Sequence, residues 1–246
     1  MSRWKAAGIH LSLSVVIAAS LLVAMLALWY PPPYFQLMGG LGLVLLIAGC
    51  DVVLGPLCTL IVFKSGKPSL TFDLATIAFL QAVAMTYGLY TMFEARPVYT
   101  VFAVDRFEVT AANEIRADNL DKARPEFASM PLTGPRLVAA ELPRDANQRL
   151  DLAIHAMTGG GDLKTRPDLY RPYEGFVPMV AAKARPIPAL EQAHPESRAI
   201  IEKELGNSGS RDELGYVPIV GRFRSMTAIV NRKSGDIETV VDVSPW

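Results

Sequence analysis

The chain has 246 residues with 24 basic and 24 acidic side chains, so its formal net charge is zero. The charges are unevenly spread: residues 1–96 hold 5 Lys or Arg and 3 Asp or Glu, whereas residues 97–246 hold 19 and 21. This distribution excludes a simple cytosolic enzyme, a disordered chain and a basic protein that binds nucleic acid, because no cationic stripe is present to neutralise phosphates.

Three apolar segments occupy the first part of the chain. They cover residues 6–29, 37–63 and 72–94, and three consecutive prolines, Pro31 to Pro33, separate the first two because proline cannot continue a helix. A helix needs roughly 20 apolar residues to cross a hydrocarbon core of about 30 Å. The sequence therefore predicts a membrane protein in which residues 1–96 form three transmembrane α-helices.

Lys and Arg residues in the short flanks predict the orientation in the membrane. Arg3 and Lys5 precede the first segment, and Lys64 and Lys67 lie between the second and the third. Cytoplasmic loops carry the excess of Lys and Arg. The N-terminus is therefore expected in the cytoplasm and residues 97–246 on the opposite side, which is the periplasm in a Gram-negative bacterium.

Asp51 is the sharpest polar signal in these segments, because it lies near the middle of the second one. An ionisable group inside a bilayer is costly and usually faces a protein partner or water. One interpretation is that Asp51 contacts a partner helix, a proton or an ion. The other is structural: a hydrogen bond to a backbone group that Pro56 frees, or to one of the nearby polar residues His10, Thr59 and Gln81. Both interpretations remain open at this point.

Asp73 stands at the start of the third segment, close to the expected inner surface of the membrane. A carboxylate there can cap free backbone amides and interacts favourably with the helix dipole. We therefore predict a structural role for Asp73 as a helix cap.

Residues 97–246 are predicted to form an α+β domain in the periplasm. Runs of β-branched and aromatic residues near both ends predict strands, beginning with residues 98–104, and helical patterns lie between them. The clearest element is a C-terminal β-hairpin, in which residues 224–231 and 237–243 flank the turn KSGD. A stretch of this length is large enough for its own hydrophobic core.

The outer domain contains no recognisable catalytic motif. Its two histidines, His155 and His194, stand in unrelated settings, and HExxH, GxSxG and GxxxxGK[ST] are absent. We therefore expect no catalytic residues, no metal and no other cofactor. Binding is the better interpretation of this domain than enzymatic activity.

A cluster of aromatic and arginine side chains is the main candidate for a binding surface in the outer domain. Its members are Tyr170, Arg171, Tyr173 and Phe176. Side chains of these types are enriched at protein interfaces. Burial in the domain core would explain them equally well, so the sequence leaves both interpretations open.

Several stretches resemble one known family. Residues 66–74, GKPSLTFDL, resemble the GKPSLKFDL stretch of the type IV pilin accessory proteins, the TfpX/TfpZ (FimB-like) family. Residues 51–57, DVVLGPL, are similar to the second helix of the same family, and so are YGLY, ARPVY and VDRF within residues 87–107. The C-terminal hairpin ending in DVSPW also fits, and the resemblance covers the layout of the whole chain.

The resemblance implies a bacterial inner-membrane protein that is dedicated to one type IV pilin and promotes its assembly into pili. The implied partners are the cognate major pilin, membrane lipids and other pilus assembly components. In this interpretation the membrane helices hold the apolar helix of the pilin, and the outer domain contacts its globular part through the aromatic and arginine cluster. The residues expected to contact the pilin helix are Asp51, Gly39, Gly40, Gly42 and Pro56.

The alternative function is that of a membrane-anchored enzyme that modifies pilin or a lipid-linked substrate. It requires acids or a metal site that only the fold brings together, so the linear sequence does not exclude it. A sensory role is disfavoured, because the segments expected in the cytoplasm are too short to form an output module.

Overall fold

The chain folds into a helical unit and a sheet unit. The computed structural model describes residues 1–158, 161–205 and 211–246, with the side chains of residues 46, 47, 50 and 205 outside that description. The helical unit consists of Met1–Phe35 and Gly39–Arg96, and the sheet unit consists of Gln36–Met38 and Pro97–Trp246. The main boundary between the two units therefore falls between Arg96 and Pro97.

The helical unit contains two long helices with a broken apolar segment between them. The long helices are α1 (Arg3–Leu28) and α5 (Leu70–Glu94). The broken segment consists of α2 (Tyr34–Leu37), α3 (Gly40–Ala48), a π-helix (Gly49–Leu54) and α4 (Gly55–Val62). Leu, Ala and Met, which favour helices, dominate the long pair, and Ser2 Oγ caps α1 by accepting a hydrogen bond from the Lys5 amide.

The prediction of three transmembrane α-helices is wrong. Among the described residues, two helices, α1 and α5, are long and apolar enough to cross a membrane. Residues 37–63 do not form one continuous α-helix, because Gly39 adopts a φ of +72° between α2 and α3 and the helix is of the π type from Gly49 to Leu54. Apolar composition gives the length of a segment but not the places where its backbone hydrogen bonding changes. The two apolar helices indicate a membrane anchor.

Gln36–Met38 belong to the sheet unit rather than to a membrane helix. The carbonyl oxygen of Leu37 accepts a hydrogen bond of 3.0 Å from the amide of Phe223. Gly221 lies against the same residue so closely that a Cβ at this glycine would overlap with the Leu37 backbone. Leu37 and Met38 are buried. The first residues of the predicted second transmembrane segment therefore belong to the sheet unit and not to the helical unit.

The sheet unit is built on one mixed sheet of eight strands. They are β1 (Pro97–Ala103), β2 (Arg106–Ala111), β3 (Arg136–Ala140), β4 (Tyr170–Arg171), β5 (Arg185–Pro186), β6 (Leu214–Val220), β7 (Ser225–Asn231) and β8 (Ile237–Val241). The order is β4-β3-β1-β2-β6-β7-β8, and β5 also pairs with β6. The β1–β3 and β2–β6 pairs are parallel, and the remaining pairs are antiparallel.

The predicted C-terminal hairpin is present as β7 and β8, with Ala228 opposite Val240. It forms one edge of the larger sheet, because β6 joins β7 on one side and β2 on the other. The strands expected at the two ends of the domain are therefore neighbours in space, although about a hundred residues of chain separate β2 from β6.

Short helices cover the sheet and close two hydrophobic clusters. The α-helices are α6 (Ala117–Leu120), α7 (Ala146–Met157), α8 (Val177–Lys183), α9 (Ile187–Ala193) and α10 (Ser197–Leu205). Single 3₁₀ turns occur at Ala112–Glu114, Pro125–Phe127, Leu163–Thr165, Pro167–Leu169, Tyr173–Phe176 and Arg211–Glu213. One cluster lies around Tyr99, Val101 and Phe127, and the other joins Ile187 and Ile201 to the β6–β8 region.

Candidate functional site

A polar network lies inside the helical unit and includes Asp51. His10 of α1 contacts two partners: its Nδ1 is 2.6 Å from Oγ1 of Thr59 on α4, and its Nε2 is 2.8 Å from Oε1 of Gln81 on α5. Nε2 of Gln81 donates to the backbone oxygen of Asp51 at 3.1 Å and to its Oδ1 at 3.4 Å. One glutamine thus connects the π-helix to α1 and α4.

The directions of these hydrogen bonds follow from the glutamine. Because the amide nitrogen of Gln81 donates to Asp51, its oxygen is the atom that faces His10 and can only accept. Nε2 of His10 therefore carries a hydrogen. In the neutral imidazole, Nδ1 then accepts from the Thr59 hydroxyl. Hydrogen bonds thus join polar groups of four helical pieces, which lowers the cost of placing them in an apolar surrounding.

Local sequence explains why Asp51 can reach this network. Asp51 lies in the π-helix, a backbone form that is rare and is frequently found at functional sites. The Gly55-Pro56 pair follows directly: Pro56 lacks an amide hydrogen at the start of α4, and Gly55 has no side chain to separate it from Gln81. Gly55 was not among the predicted site residues, although a Gly-Pro pair inside an apolar segment is a visible signal.

The contact with Gln81 supports the structural interpretation of Asp51, and a contact with a partner helix, a proton or an ion stays a prediction. Asp51 is 4% exposed, and one of its carboxylate oxygens contacts Gln81, which is one of the structural partners considered. Its Oδ2 accepts no hydrogen bond from any described residue. The carboxylate also borders a gap of about 40 Å³ that apolar side chains line, including Leu22, Met25 and Met85.

The three glycines expected to contact a partner helix differ in their surroundings. Gly39 forms the turn before α3. A Cβ at Gly40 would overlap with the Phe35 ring, so the small size of this residue is used within the chain. Gly42 is exposed, and no described atom outside its own stretch of helix lies within 4 Å of the position of a Cβ. Pro56 is buried. Within this set, Gly42 therefore offers the open surface.

Asp73 lies in the first turn of α5, but it does not cap a backbone amide as predicted. Its Oδ2 accepts a hydrogen bond of 3.2 Å from Ser69 Oγ and forms an ion pair with Lys67. The Asp73 carboxylate therefore binds the Lys67 ammonium group and the Ser69 hydroxyl, instead of the free backbone amides that the sequence predicted. The favourable position relative to the helix dipole remains.

The aromatic and arginine cluster of the sheet unit is largely buried. The Tyr170 hydroxyl donates to the backbone oxygen of Lys164, and the Tyr173 hydroxyl donates to that of Gly235 at 2.6 Å. Burial raises the pKa of both phenols, that of Tyr173 to about 12. The burial interpretation therefore describes the two tyrosines.

The other two members of the cluster are partly exposed. Arg171 Nε donates to Oε2 of Glu141 at 2.8 Å, and Phe176 ends a 3₁₀ turn. Because only Arg171 and Phe176 are partly exposed, the surface open to a partner is smaller than the one predicted from all four side chains. A contact between this surface and a partner stays a prediction.

The described residues bring together no group of three or more His, Cys, Asp and Glu side chains that could hold a metal ion. What they form instead is an apolar helical unit around one polar network and a mixed sheet with short covering helices. These features are consistent with a protein that has a membrane anchor and a sheet unit.

Comparison with known proteins places the chain in one family: it belongs to the FimB family of fimbrial assembly proteins. The family model described as fimbrial assembly protein FimB matches residues 1–39. The fimbrial assembly protein of Dichelobacter nodosus serogroup E1 is 30% identical over 246 residues, which are 98% of this chain and 95% of the relative. The resemblance found in the sequence is thereby confirmed.

Two further relatives from Dichelobacter nodosus agree with this assignment. The fimbrial assembly protein of serogroup I is 30% identical over 249 residues, covering 98% of this chain and 95% of the relative. That of serogroups C1 and C2 is 39% identical over 121 residues, covering 48% of this chain and 92% of the relative. No solved structure matches the chain.

Proposed function

We propose that this protein is a non-enzymatic accessory protein of type IV pilus assembly in the bacterial inner membrane. It binds its cognate major pilin and, acting like a chaperone, promotes the assembly of that pilin into pili. The observation that carries the proposal is 30% identity over 98% of the chain to a protein named as a fimbrial assembly protein. Because the similarity extends over both units, both are assigned a part in assembly.

The helical unit holds the apolar helix of the pilin in this proposal. In lipid, helices associate through close packing and polar contacts rather than through the hydrophobic effect. Asp51 offers a carboxylate oxygen without a hydrogen-bond donor among the described residues, and Gly42 offers open space for a neighbouring backbone. Both features suit a helix that carries a polar group within an apolar surface.

The sheet unit lies in the periplasm in the proposed orientation. The hydrogen bond between His10 and Thr59 brings the start of α1 beside the end of α4. Arg3 and Lys5, in the first turn of α1, therefore lie at the same end of the helical unit as Lys64 and Lys67. An excess of Lys and Arg at one end supports a cytoplasmic location for that end. The sheet unit then meets the globular part of the pilin outside the membrane.

Deletion of the gene tests the function in the cell. We expect fewer surface pili with an unchanged level of pilin transcript, and recovery when the wild-type gene is supplied in trans. Pili should be counted by electron microscopy and by shearing followed by quantification of pilin. Normal piliation of the deletion strain would contradict the proposal.

Crosslinking tests the contact in the membrane. A photo-crosslinking amino acid at Val53, which is exposed on the π-helix next to Asp51, should form an adduct with the pilin. Ile9 on α1 is a comparably exposed control position. The adducts should be identified by mass spectrometry after purification in detergent. Equal yields at the two positions, or none at Val53, would leave Asp51 with its structural role alone.

A further inference from the structure

The β6–β7 turn, residues 221–224, exposes an aromatic side chain between two arginines. A hydrogen bond of 2.8 Å from the Gly221 amide to the backbone oxygen of Arg224 closes the turn. Phe223 is 67% exposed, and Arg222 and Arg224 are exposed on either side of it. The amide of Phe223 is used within the sheet unit, whereas its ring contributes little to the core. The ring is therefore available to a partner.

The register of the sheet places the β6–β7 turn at the edge where the chain enters the sheet unit from α5. In the parallel β2–β6 pair, Glu108 lies opposite Val220. Three residues further along, this register brings Ala111 level with Phe223. Ala111 pairs with Pro97, the first residue of β1. Because neighbouring strands are about 4.8 Å apart, the turn lies about two strand spacings, or ~10 Å, from the start of β1.

The other connections to the helical unit lie beside the same turn. The amide of Phe223 donates to the backbone oxygen of Leu37 at 3.0 Å. Leu37 is two residues after Phe35 and two before Gly39, where the helical unit ends and resumes. Consecutive Cα atoms are 3.8 Å apart, so Phe35 and Gly39 lie within about 8 Å of Leu37. Every covalent connection between the two units is therefore close to the β6–β7 turn.

Within the helical unit, these connections start from one end, which carries aromatic side chains. The Tyr30 hydroxyl, just after α1, donates to the backbone oxygen of Met92 near the end of α5 at 2.9 Å. The rings of Trp29 and Phe93 are in edge contact, with centroids 5.3 Å apart. Trp and Tyr are enriched where a helix leaves the bilayer. This end is therefore expected at a membrane surface, and a few residues of chain join it to the sheet unit.

The β6–β7 turn has the charge that a phosphate surface requires. Arg222 forms no ion pair with any residue that the structure describes, and its guanidinium carbon lies 6.0 Å from the centroid of the Phe223 ring. Arg224 pairs with Asp242 at 2.9 Å, with both side chains about half exposed, so the three charges sum to +1. Such an exposed pair contributes little to stability, which leaves Arg224 able to bind another anion. Guanidinium groups bind phosphate through two parallel hydrogen bonds.

We propose that the β6–β7 turn docks on the lipid surface of the membrane in which the apolar helices are anchored. The Phe223 ring enters the layer between headgroups and acyl chains, and Arg222 and Arg224 bind phosphate groups of the phospholipids. The short connections keep the turn beside this surface whether or not another protein is bound, which favours lipid as the occupant. The inference rests on the membrane anchor and does not require the pilin.

Crosslinking in a defined bilayer tests the contact with lipid. The full-length protein with a photo-crosslinking amino acid at Phe223 is placed in nanodiscs of phosphatidylglycerol and irradiated. We expect an adduct that carries the mass of one phospholipid. Val104, an exposed apolar residue in the β1–β2 turn, is the matched control. It lies at the opposite edge of the sheet, about 20 Å away along the strands, and should give no such adduct.

A third position separates the docking from the membrane anchor on which it rests. Ile9 is an exposed apolar residue of α1 and should crosslink to lipid if that helix lies in the bilayer. Lipid adducts at Ile9 without any at Phe223 would overturn the docking and leave the anchor standing. The absence of lipid adducts at both positions would overturn both. Equal lipid adducts at Phe223 and Val104, or adducts of Phe223 with protein alone in living cells, would also overturn the proposal.

The arginines are tested in the same nanodiscs. Arg222→Gln should lower the yield of the lipid adduct at position 223 about fivefold, the contribution typical of one basic residue near an anionic surface. Arg144→Gln alters an exposed arginine after β3, at the opposite edge of the sheet, and should leave the yield unchanged. Unfolding temperatures equal to that of the wild type would show that both variants fold. An unchanged yield for Arg222→Gln would overturn the phosphate contact.

Discussion

Gly55 and Gln81 approach each other so closely that a Cβ at Gly55 would overlap with the side-chain amide of Gln81. This approach lets the glutamine reach Asp51 with its nitrogen and His10 with its oxygen. The absence of a side chain at Gly55 therefore leaves room for a network that joins α1, the π-helix, α4 and α5.

Gly55→Ala should destabilise the helical unit. The added methyl group displaces Gln81, and overpacking of this kind typically costs about 1–3 kcal/mol. Thermal unfolding of the full-length protein in detergent measures the change. Gly42→Ala is the matched control, because its Cβ meets no atom within 4 Å and alanine favours a helix. Equal unfolding temperatures for the two variants would mean that the close approach is unimportant.

Gln81→Leu should also lower the stability, by a different route. Leucine fills a similar volume but supplies neither the donor to Asp51 nor the acceptor for His10. Leaving buried polar groups without partners costs about 1–3 kcal/mol. Thr86→Val is the control, since the Thr86 hydroxyl bonds only within its own helix. The free energies of unfolding of both variants should be measured in the same detergent. An unchanged value for Gln81→Leu would mean that the network does not contribute to stability.

Glu108→Gln should raise the free energy of unfolding at neutral pH. Burial and Asp162 raise the pKa of Glu108 above its ordinary value of 4.5 in the folded state. Between the unfolded and folded pKa values the folded state binds more protons, so stability decreases as the pH rises through this window. The variant should lack this decrease. Unfolding measured from about pH 5 to about pH 8 tests it, with exposed Glu126→Gln following the wild type.

Gly221→Ala should weaken the packing of Leu37 in the sheet unit. The new methyl group overlaps with the Leu37 backbone and disturbs its hydrogen bond with the Phe223 amide. We expect a loss of about 1–3 kcal/mol in the free energy of unfolding. Gly175→Ala, where nothing lies within 4 Å of the new Cβ, should have a much smaller effect. Similar losses for both would contradict the close packing at Leu37.

Local sequence patterns were sufficient to predict the two long helices and the C-terminal hairpin. The first and third apolar segments became α1 and α5 within a few residues of the expected ends, and the turn KSGD joins β7 to β8. These elements are determined by neighbours in sequence. The second segment was predicted wrongly, because apolar composition does not reveal the positive φ at Gly39 or the π-helix.

Distant contacts could not be read from the sequence. The parallel pairing of β2 with β6 joins strands about a hundred residues apart, and no local pattern encodes it. Gln81 was one of several possible partners for Asp51, and only the packing of α5 selects it. The two tyrosines of the aromatic cluster look alike in sequence whether they face a partner or the core, so their burial required the fold.

The π-helix determines the angle, about the helix axis, between the directions of the Asp51 and Thr59 side chains. In an unbroken α-helix, these residues, eight positions apart, would point about 80° away from each other. The wider π turn reduces that angle, so that Asp51 meets Gln81 directly while Thr59 meets it through His10. Deleting one residue at Val53 would rotate one half of the segment against the other without changing its apolar character. Spacing here is therefore as constrained as side-chain identity.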